Sequence, residues 1–525
     1  MQARRTIALA AVAAGVLGGG VAAAKPKPKP PKHQSGFQTA VKPYAKGLAG
    51  WTTEPIISAG DIVPETGAGS AQYRMVGIPD GLGIERLGGK DKQNNRGGKV
   101  RVWMTHEFTQ TDVSEPRVGR PAQRGAFATQ LILNGHGKVL SARRAYDRVY
   151  QDNTFVGPAA DASNTTRAFS RWCSAFLAGR HVGFDRTIFF ANEESGPAAS
   201  GPTPTFDPKG SQSVAVFGNE AHALSKLGHF PKENTLVMRG TGNRTVILTT
   251  EDGPRTPDSQ LYLYVGRKDR SSRNPLRRNG LDNGKLYVLA SDDNRDNENA
   301  LLQGDTVHVH WAEIKNADQL TDVQTEAAAD AAGAFGFVRI EDGAFRPNAK
   351  REFWFNTTGD QDAPEADPHT NELGRLYRLR FDKRDPLKGA RLTQAYNADQ
   401  LTAAQDGPLS PDNLDLTKRF AIINEDGTAG SRDDMERRNR DGSIWVVPRK
   451  TAGNPATFQR VAELVGRSEG GRDGVKTTSG IWETSGVVAY DRNSFLFDVQ
   501  AHPPTTAPAP GTVEDGQLLI LRRNR

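Results

Sequence analysis

Short apolar runs separated by Gly, Asp, Asn and Pro recur along most of the chain, and a 3.6-residue helical period is weak almost everywhere. Residues 100–104, 187–190, 245–248, 261–265, 286–289 and 307–311 read as strands of four to six residues. Residues 353–356, 376–379, 420–423, 444–447, 495–499 and 518–521 continue the series. Helical periodicity is confined to 312–332 and to a turn or two near 221–227. The pattern predicts an all-β protein with a few short helices.

A loose repeat runs through these strands. Asn192-Glu193-Glu194-Ser195-Gly196, Thr249-Thr250-Glu251-Asp252-Gly253 and Arg339-Ile340-Glu341-Asp342-Gly343 each carry an acidic turn, as do Asn424-Glu425-Asp426-Gly427 and Glu514-Asp515-Gly516. Successive gaps between Glu194, Asp252, Asp342, Asp426 and Asp515 are 58, 90, 84 and 89 residues. Most are near twice a blade period of about 40–50 residues. A single large β-propeller with loop insertions fits that spacing and the length of the chain.

Equivalent loops of a propeller converge at the mouth of its channel, so these turns would gather carboxylates from distant parts of the chain. Crowded carboxylates repel one another unless cations lie between them. Oxygen ligands select calcium, magnesium or oxidised iron, and such ions can bind a phosphate and activate a water. Asp-Gly is also a plain turn sequence, so each turn alone has a second reading. Arg339 and Glu341 are spaced to share one face of a strand, where a guanidinium could grip phosphate beside a ligating carboxylate. His106-Glu107 closes a strand and offers another ligand, whereas His308-Val309-His310 lacks a third zinc ligand. There is no Gly-x-Ser-x-Gly elbow and no P-loop.

Charge adds little. The net charge is +7, but Arg4, Arg5 and four lysines of the spacer contribute +6, leaving +1 for the remainder. A near-neutral body excludes a nucleic-acid footprint. Arg4-Arg5, an apolar run from Ile7 to about Gly19 and Ala22-Ala23-Ala24 read as a signal peptide over residues 1–24, compatible with twin-arginine export. Residues 25–50 read as a Lys/Pro-rich linker and N-terminal extension, and 51–525 as the propeller domain. The expected location is secreted, periplasmic or at the cell envelope, with no transmembrane anchor after cleavage. Cys173 is the sole cysteine, so no internal disulfide can form.

Taken in order, the motifs resemble the PhoX family of secreted alkaline phosphatases. Trp103-Met104-Thr105-His106-Glu107 is similar to that family's Asn-His-Glu strand, with Thr105 in place of Asn. Arg171-Trp172-Cys173-Ser174, followed by Asn192-Glu193-Glu194, resembles its Cys-Ser and Cys-Glu-Glu segments, with Asn192 in place of the second Cys. Gly218-Asn219-Glu220-Ala221 is similar to its His-Glu-Ala, and Thr250-Glu251-Asp252 to its Thr-Glu-Asp, at a spacing about ten residues longer. Arg339-Ile340-Glu341 resembles its Arg-Pro-Glu. Pro411-Asp412-Asn413 with Glu425-Asp426, and Gln500 with His502-Pro503, resemble its late motifs.

The resemblance implies a monomeric hydrolase acting on small phosphorylated substrates, specifically phosphate monoesters, at a calcium and iron cluster. It implies Cys173, Glu107, Glu194, Glu220, Asp252 and Glu341 as metal ligands, with Cys173 on iron. Arg339, Cys173 and Glu341 are the implied catalytic residues. The competing expectation is a non-catalytic, calcium-stabilised propeller that binds a partner at the cell surface.

Overall fold

Successive residues of a strand point to opposite faces, and here the two faces belong to different apolar cores. In the strand Arg244–Thr250, Ile247 packs with Phe190, Tyr262 and Val288, while Leu248 packs with Leu263, Leu289 and Phe355. In Glu352–Thr357, Phe353 and Phe355 join that second core, and Trp354 joins a third with Leu414, Ile423 and Trp445. Burial on both faces explains why these runs read as continuously apolar rather than alternating.

The computed structural model describes residues 36–88, 98–196, 204–253, 257–349, 351–360, 370–427, 432–503 and 509–524. Among them the protein is mostly β, in sheets of four, six, nine, five and four strands and two small ribbons. Between the sheet strands pairing is antiparallel except where Arg148–Gln151 runs parallel to Glu220–Ala223, and the isolated bridges Glu65 to Ala142 and Asn297 to Gly336 are also parallel. The nine-stranded sheet joins a five-strand meander, Thr235–Val237 to Thr306–Ile314, to a four-strand meander, Ile340–Phe345 to Ala390–Asn397. The junction is the pairing of Thr306–Ile314 with Ala390–Asn397. The last sheet unites chain ends, for Trp51–Ser58 pairs with Asp515–Arg523.

Each meander presents one inner strand to the next. Pro79–Leu87, Phe176–Ala178, Thr235–Val237, Ile340–Phe345, Pro411–Leu416 and Glu483–Ala489 touch in that order, and the last returns to the first. These inner strands begin 59 to 105 residues apart, so the repeat is one meander rather than two short blades. Four of the six are bulged near their first residues, at 79–82, 340–343, 411–414 and 485–487. A bulge bends the strand and re-aims its side chains, here at the end where the acidic residues lie.

Two expectations need correction. Residues 312–314 finish the strand Thr306–Ile314, and the helix occupies only Asp322–Ala331, opened by a Thr321/Gln324 capping box. Near 221–227 the chain forms the strand Glu220–Ala223 and a 3-10 turn at Ser225–Leu227. The compact unit begins at Gly36, and Ala45–Gly47 pairs with Gln459–Leu464. The expected signal peptide and the Lys/Pro run lie outside the described residues. No helix among the described residues is long and apolar enough to cross a membrane.

Candidate metal centre

The inner strands deliver acidic side chains to one buried region. Asp80 lies on Pro79–Leu87, Glu341 on Ile340–Phe345, Asp412 on Pro411–Leu416 and Glu483 on Glu483–Ala489. Cys173 precedes Phe176–Ala178, and Glu233 precedes Thr235–Val237. Glu107, Glu194 and Asp252 follow the next strands outward, at the ends of Lys99–His106, Ile188–Asn192 and Arg244–Thr250.

Three overlapping groups hold ligand atoms within 4.8 Å of one another: Asp80, Glu107 and Cys173; Cys173, Glu194 and Glu233; Glu233, Glu341 and Asp412. Cys173 Sγ lies 3.2 Å from Asp80 Oδ2. Gln500 Nε2 donates to Asp80 at 3.1 Å and to Glu107 at 3.0 Å.

Two arginines grip the rim in the same manner. Arg339 donates to both oxygens of Asp252, at 3.0 and 2.9 Å, and to Glu341 at 3.1 Å. Arg171 donates to Glu107 at 2.9 and 2.8 Å and to Glu194 at 2.9 Å. Both have left-handed backbones, with φ of 54° at Arg339 and 43° at Arg171. That conformation is costly for a side chain with a Cβ and recurs where function over-determines the backbone.

Burial is the first cause that raises the Asp80, Glu194, Glu341 and Asp412 carboxyls well above the usual range, and neighbouring carboxylates add to it. Burial and then nearby acids push Glu233 and Glu483 up to about 8. Burial, then Asp80 and Glu233, raise the Cys173 thiol. Burial alone would lower both arginines, but Asp252 and Glu341 hold Arg339 well above its ordinary value, as Glu194 and Glu107 hold Arg171.

Two guanidiniums cannot neutralise this many acids. Asp80 Oδ1 and Asp412 Oδ1 are buried without a hydrogen-bond partner, and buried Glu233 has only the Ser174 hydroxyl and the Cys173 thiol to turn to. Buried oxygens left unpaired are costly, and cations would satisfy them. A sulfur donor beside carboxylates suits a mixed site in which the softer ion takes sulfur. The donor set therefore fits metal ions.

Of the residues expected from sequence, Glu107, Cys173, Glu194, Asp252, Arg339 and Glu341 come together here, and Glu220 does not. Its strand is three places from the inner edge of the six-stranded sheet, roughly 14 Å away at the usual strand spacing. Its carboxylate pairs with Arg148 at 2.8 Å and His222 at 3.0 Å. Glu233, thirteen residues later, occupies the pocket instead.

Asp80 and Glu483 had no motif to mark them, because each is a single acid on a bulged strand. His106 faces away and spends its ring nitrogens on Gly77 O and Thr129 Oγ1. Asp342 and Asp515 lie in the strands Ile340–Phe345 and Asp515–Arg523 and are held by other partners, accepting from the Gly343 and Gly516 amides and from Asn234 Nδ2 and the Tyr44 hydroxyl. His308 and His310 are exposed, and His310 pairs with Asp292. Thr105 and Asn192 steady the cysteine loop, donating to the carbonyls of Cys173 and Ser174 at 2.9 Å each.

The family described as alkaline phosphatase PhoX matches residues 213–501. No curated protein matches the chain. Among solved structures, Pseudomonas fluorescens PhoX in complex with vanadate, a transition state analogue, is 15% identical, with TM-score 0.60. The match covers 93% of this chain and 97% of that one, so the two share a fold. A candidate glycosidase of Bacteroides thetaiotaomicron is 10% identical over 71% of this chain and 90% of that one. Its TM-score of 0.21 is too low to mark a common fold.

Proposed function

The chain belongs to the PhoX family of alkaline phosphatases, and from that premise we propose that its acidic pocket hydrolyses phosphate monoesters with the help of bound calcium and iron. The observation that carries this reading is convergence. Six inner strands, spread over more than 400 residues, each bring a carboxylate or the lone sulfur toward one buried region. We read the ring of meanders as a six-bladed propeller, with residues 36–525 as one catalytic domain and the pocket at one mouth of its channel.

Cys173 is the iron ligand in this reading, and Asp80, Glu107, Glu194, Glu233, Asp252, Glu341 and Asp412 share the remaining coordination. When bound, the ions supply Lewis-acid neutralisation of charge on the phosphoryl group. Arg339 and Arg171 orient the substrate, since a planar guanidinium donates two parallel hydrogen bonds to phosphate oxygens. Their own carboxylate partners fix where those donors point, which is how orientation lowers a barrier without new bonds. The deeply buried walls strengthen each of these contacts. Vanadate, bound by Pseudomonas fluorescens PhoX, would occupy this pocket here and inhibit competitively. The leader would export the enzyme to act on small phosphorylated compounds outside the cytoplasm.

The test pairs metal analysis of the exported protein with p-nitrophenyl phosphate turnover, with and without chelator. Iron and calcium together with chelator-sensitive turnover are expected, and Cys173→Ala should lose iron and activity together. Full iron content and full turnover in Cys173→Ala would defeat the assignment. Calcium without turnover would favour a binding propeller.

A further inference from the structure

A second, basic groove lies on the nine-stranded sheet, at the strand ends opposite the acidic pocket. Ile340, Thr357 and Arg375 are in register at the end that bears Arg339 and Glu341. Arg380 lies five residues beyond Arg375, roughly 16 Å along the strand. There Glu352, Arg380, Arg391 and His308 stand opposite one another across four strands. Two arginines directly facing each other repel, which costs stability unless an anion lies between them.

The groove has a volume of about 890 Å³. Six cations line it: Arg351, Arg380, Lys383, Arg384, Lys388 and Arg391. Three carboxylates face them, so the lining carries +3 with His308 neutral. Those acids are already engaged. Asp382 accepts the amides of Arg384 and Asp385 at 2.8 and 2.9 Å. Asp292 pairs with His310, while Glu352 binds Trp354 Nε1 and contacts Arg346 and Arg449 besides Arg380. Among the described residues, Lys383, Arg384, Lys388 and Arg391 take no carboxylate at ion-pair distance.

The loop that presents these lysines is held in shape. Asp385 caps the turn Pro386–Lys388 by accepting from the Leu387 amide at 3.1 Å. Gly389, with φ of 96°, lies so close to the next strand that a Cβ would stand 2.5 Å from Val309 O. The backbone that carries Lys383, Arg384 and Lys388 is thus organised before any ligand arrives, which reduces the cost of binding.

We propose that this groove is an anion-binding site, separate from the metal centre, for a small ligand that carries several phosphate groups. The volume falls in the range of small-molecule pockets rather than of a polymer track. The facing guanidiniums suit phosphate oxygens in bidentate geometry. The excess of positive charge calls for at least three negative charges on the occupant.

Calorimetry on the metal-loaded full chain at low salt, with methylene-bridged triphosphate as a probe that resists hydrolysis, tests this. Lys388→Gln/Arg391→Gln should weaken binding about 10-fold or more, since two charge-assisted contacts are lost. Lys383→Gln/Arg384→Gln should do the same. Both pairs alter exposed side chains, so p-nitrophenyl phosphate turnover should stay unchanged and the melting temperature should not fall. Unaltered triphosphate affinity in both variants would place all binding at the metal centre and overturn the proposal. Equal affinity for citrate would overturn the phosphate assignment. Tight binding of heparin with none of triphosphate would mark a polymer surface instead.

Discussion

Arg339 and Arg171 pay a local conformational cost that their carboxylate partners offset, so their value lies in aim rather than charge alone. Arg339→Lys keeps the charge but loses the fork, and kcat/KM for p-nitrophenyl phosphate should fall about 100-fold, near 3 kcal/mol. Metal content by elemental analysis should hold, which separates orientation of substrate from loss of ligands. Thr105 acts one step further back, through its hydrogen bond to the Cys173 carbonyl. Thr105→Val preserves shape, should cost about 1 kcal/mol in chemical unfolding, and should weaken iron binding about 10-fold in chelator competition. These roles were partly legible beforehand. The i, i+2 spacing singles out Arg339 and Glu341, yet Arg339 is left-handed and stands just before the strand. Glu233 was missed because it sits in Pro231-Lys232-Glu233-Asn234, which has no acidic repeat.

Strand Arg375–Phe381 shows how an element is pinned at its entrance. Asp399 accepts the amides of Glu372 and Leu373 at 3.2 and 2.7 Å, fixing the approach to Arg375. Burial is the main cause that pushes Asp399 up to about 7. Between roughly pH 4 and pH 7 the native state keeps a proton that the unfolded chain has released. That contribution to stability is fully present below about pH 4 and is lost as pH rises to about 7. Asp399→Asn retains the acceptor without the ionisation, so its unfolding free energy should not decline over this window. By pH 8 it should exceed the parent by on the order of 2–4 kcal/mol in urea melts. The strands themselves were legible from apolar runs. The helix start was not, because Trp311-Ala312-Glu313-Ile314 suits either a strand end or a helix, and only pairing with Lys285–Ser291 chose the strand.

At the scale of the whole molecule, two devices close the structure. One is the pairing of an early strand with the last described one, Trp51–Ser58 with Asp515–Arg523, whose Leu519 and Leu521 pack beside Trp51 and Phe495. Deleting residues 515–525 exposes that core and breaks the ring, and the expected product is aggregated or protease-sensitive chain in limited proteolysis. The other is the pool of cations that the inner acids require. Ions that bind only the native state stabilise it by about 2.7 kcal/mol each at a hundredfold excess over Kd. Chelation should therefore lower Tm by about 5–10 °C, with recovery on adding calcium. A chelator-insensitive Tm would mean that the acids are held as neutral carboxyl groups.

The sequence by itself determined the β character, the short strands and the presence of acidic turns, because these depend on neighbours a few residues apart. It also singled out Cys173, since a chain with one cysteine has one place for a sulfur ligand. Only the tertiary structure decided which acids meet. Glu220 and Glu233 are equally acidic in the chain, but one lies three strands outward and the other at the inner edge. Distance from the shared axis is a property of strand order, and strand order is set by packing between segments hundreds of residues apart.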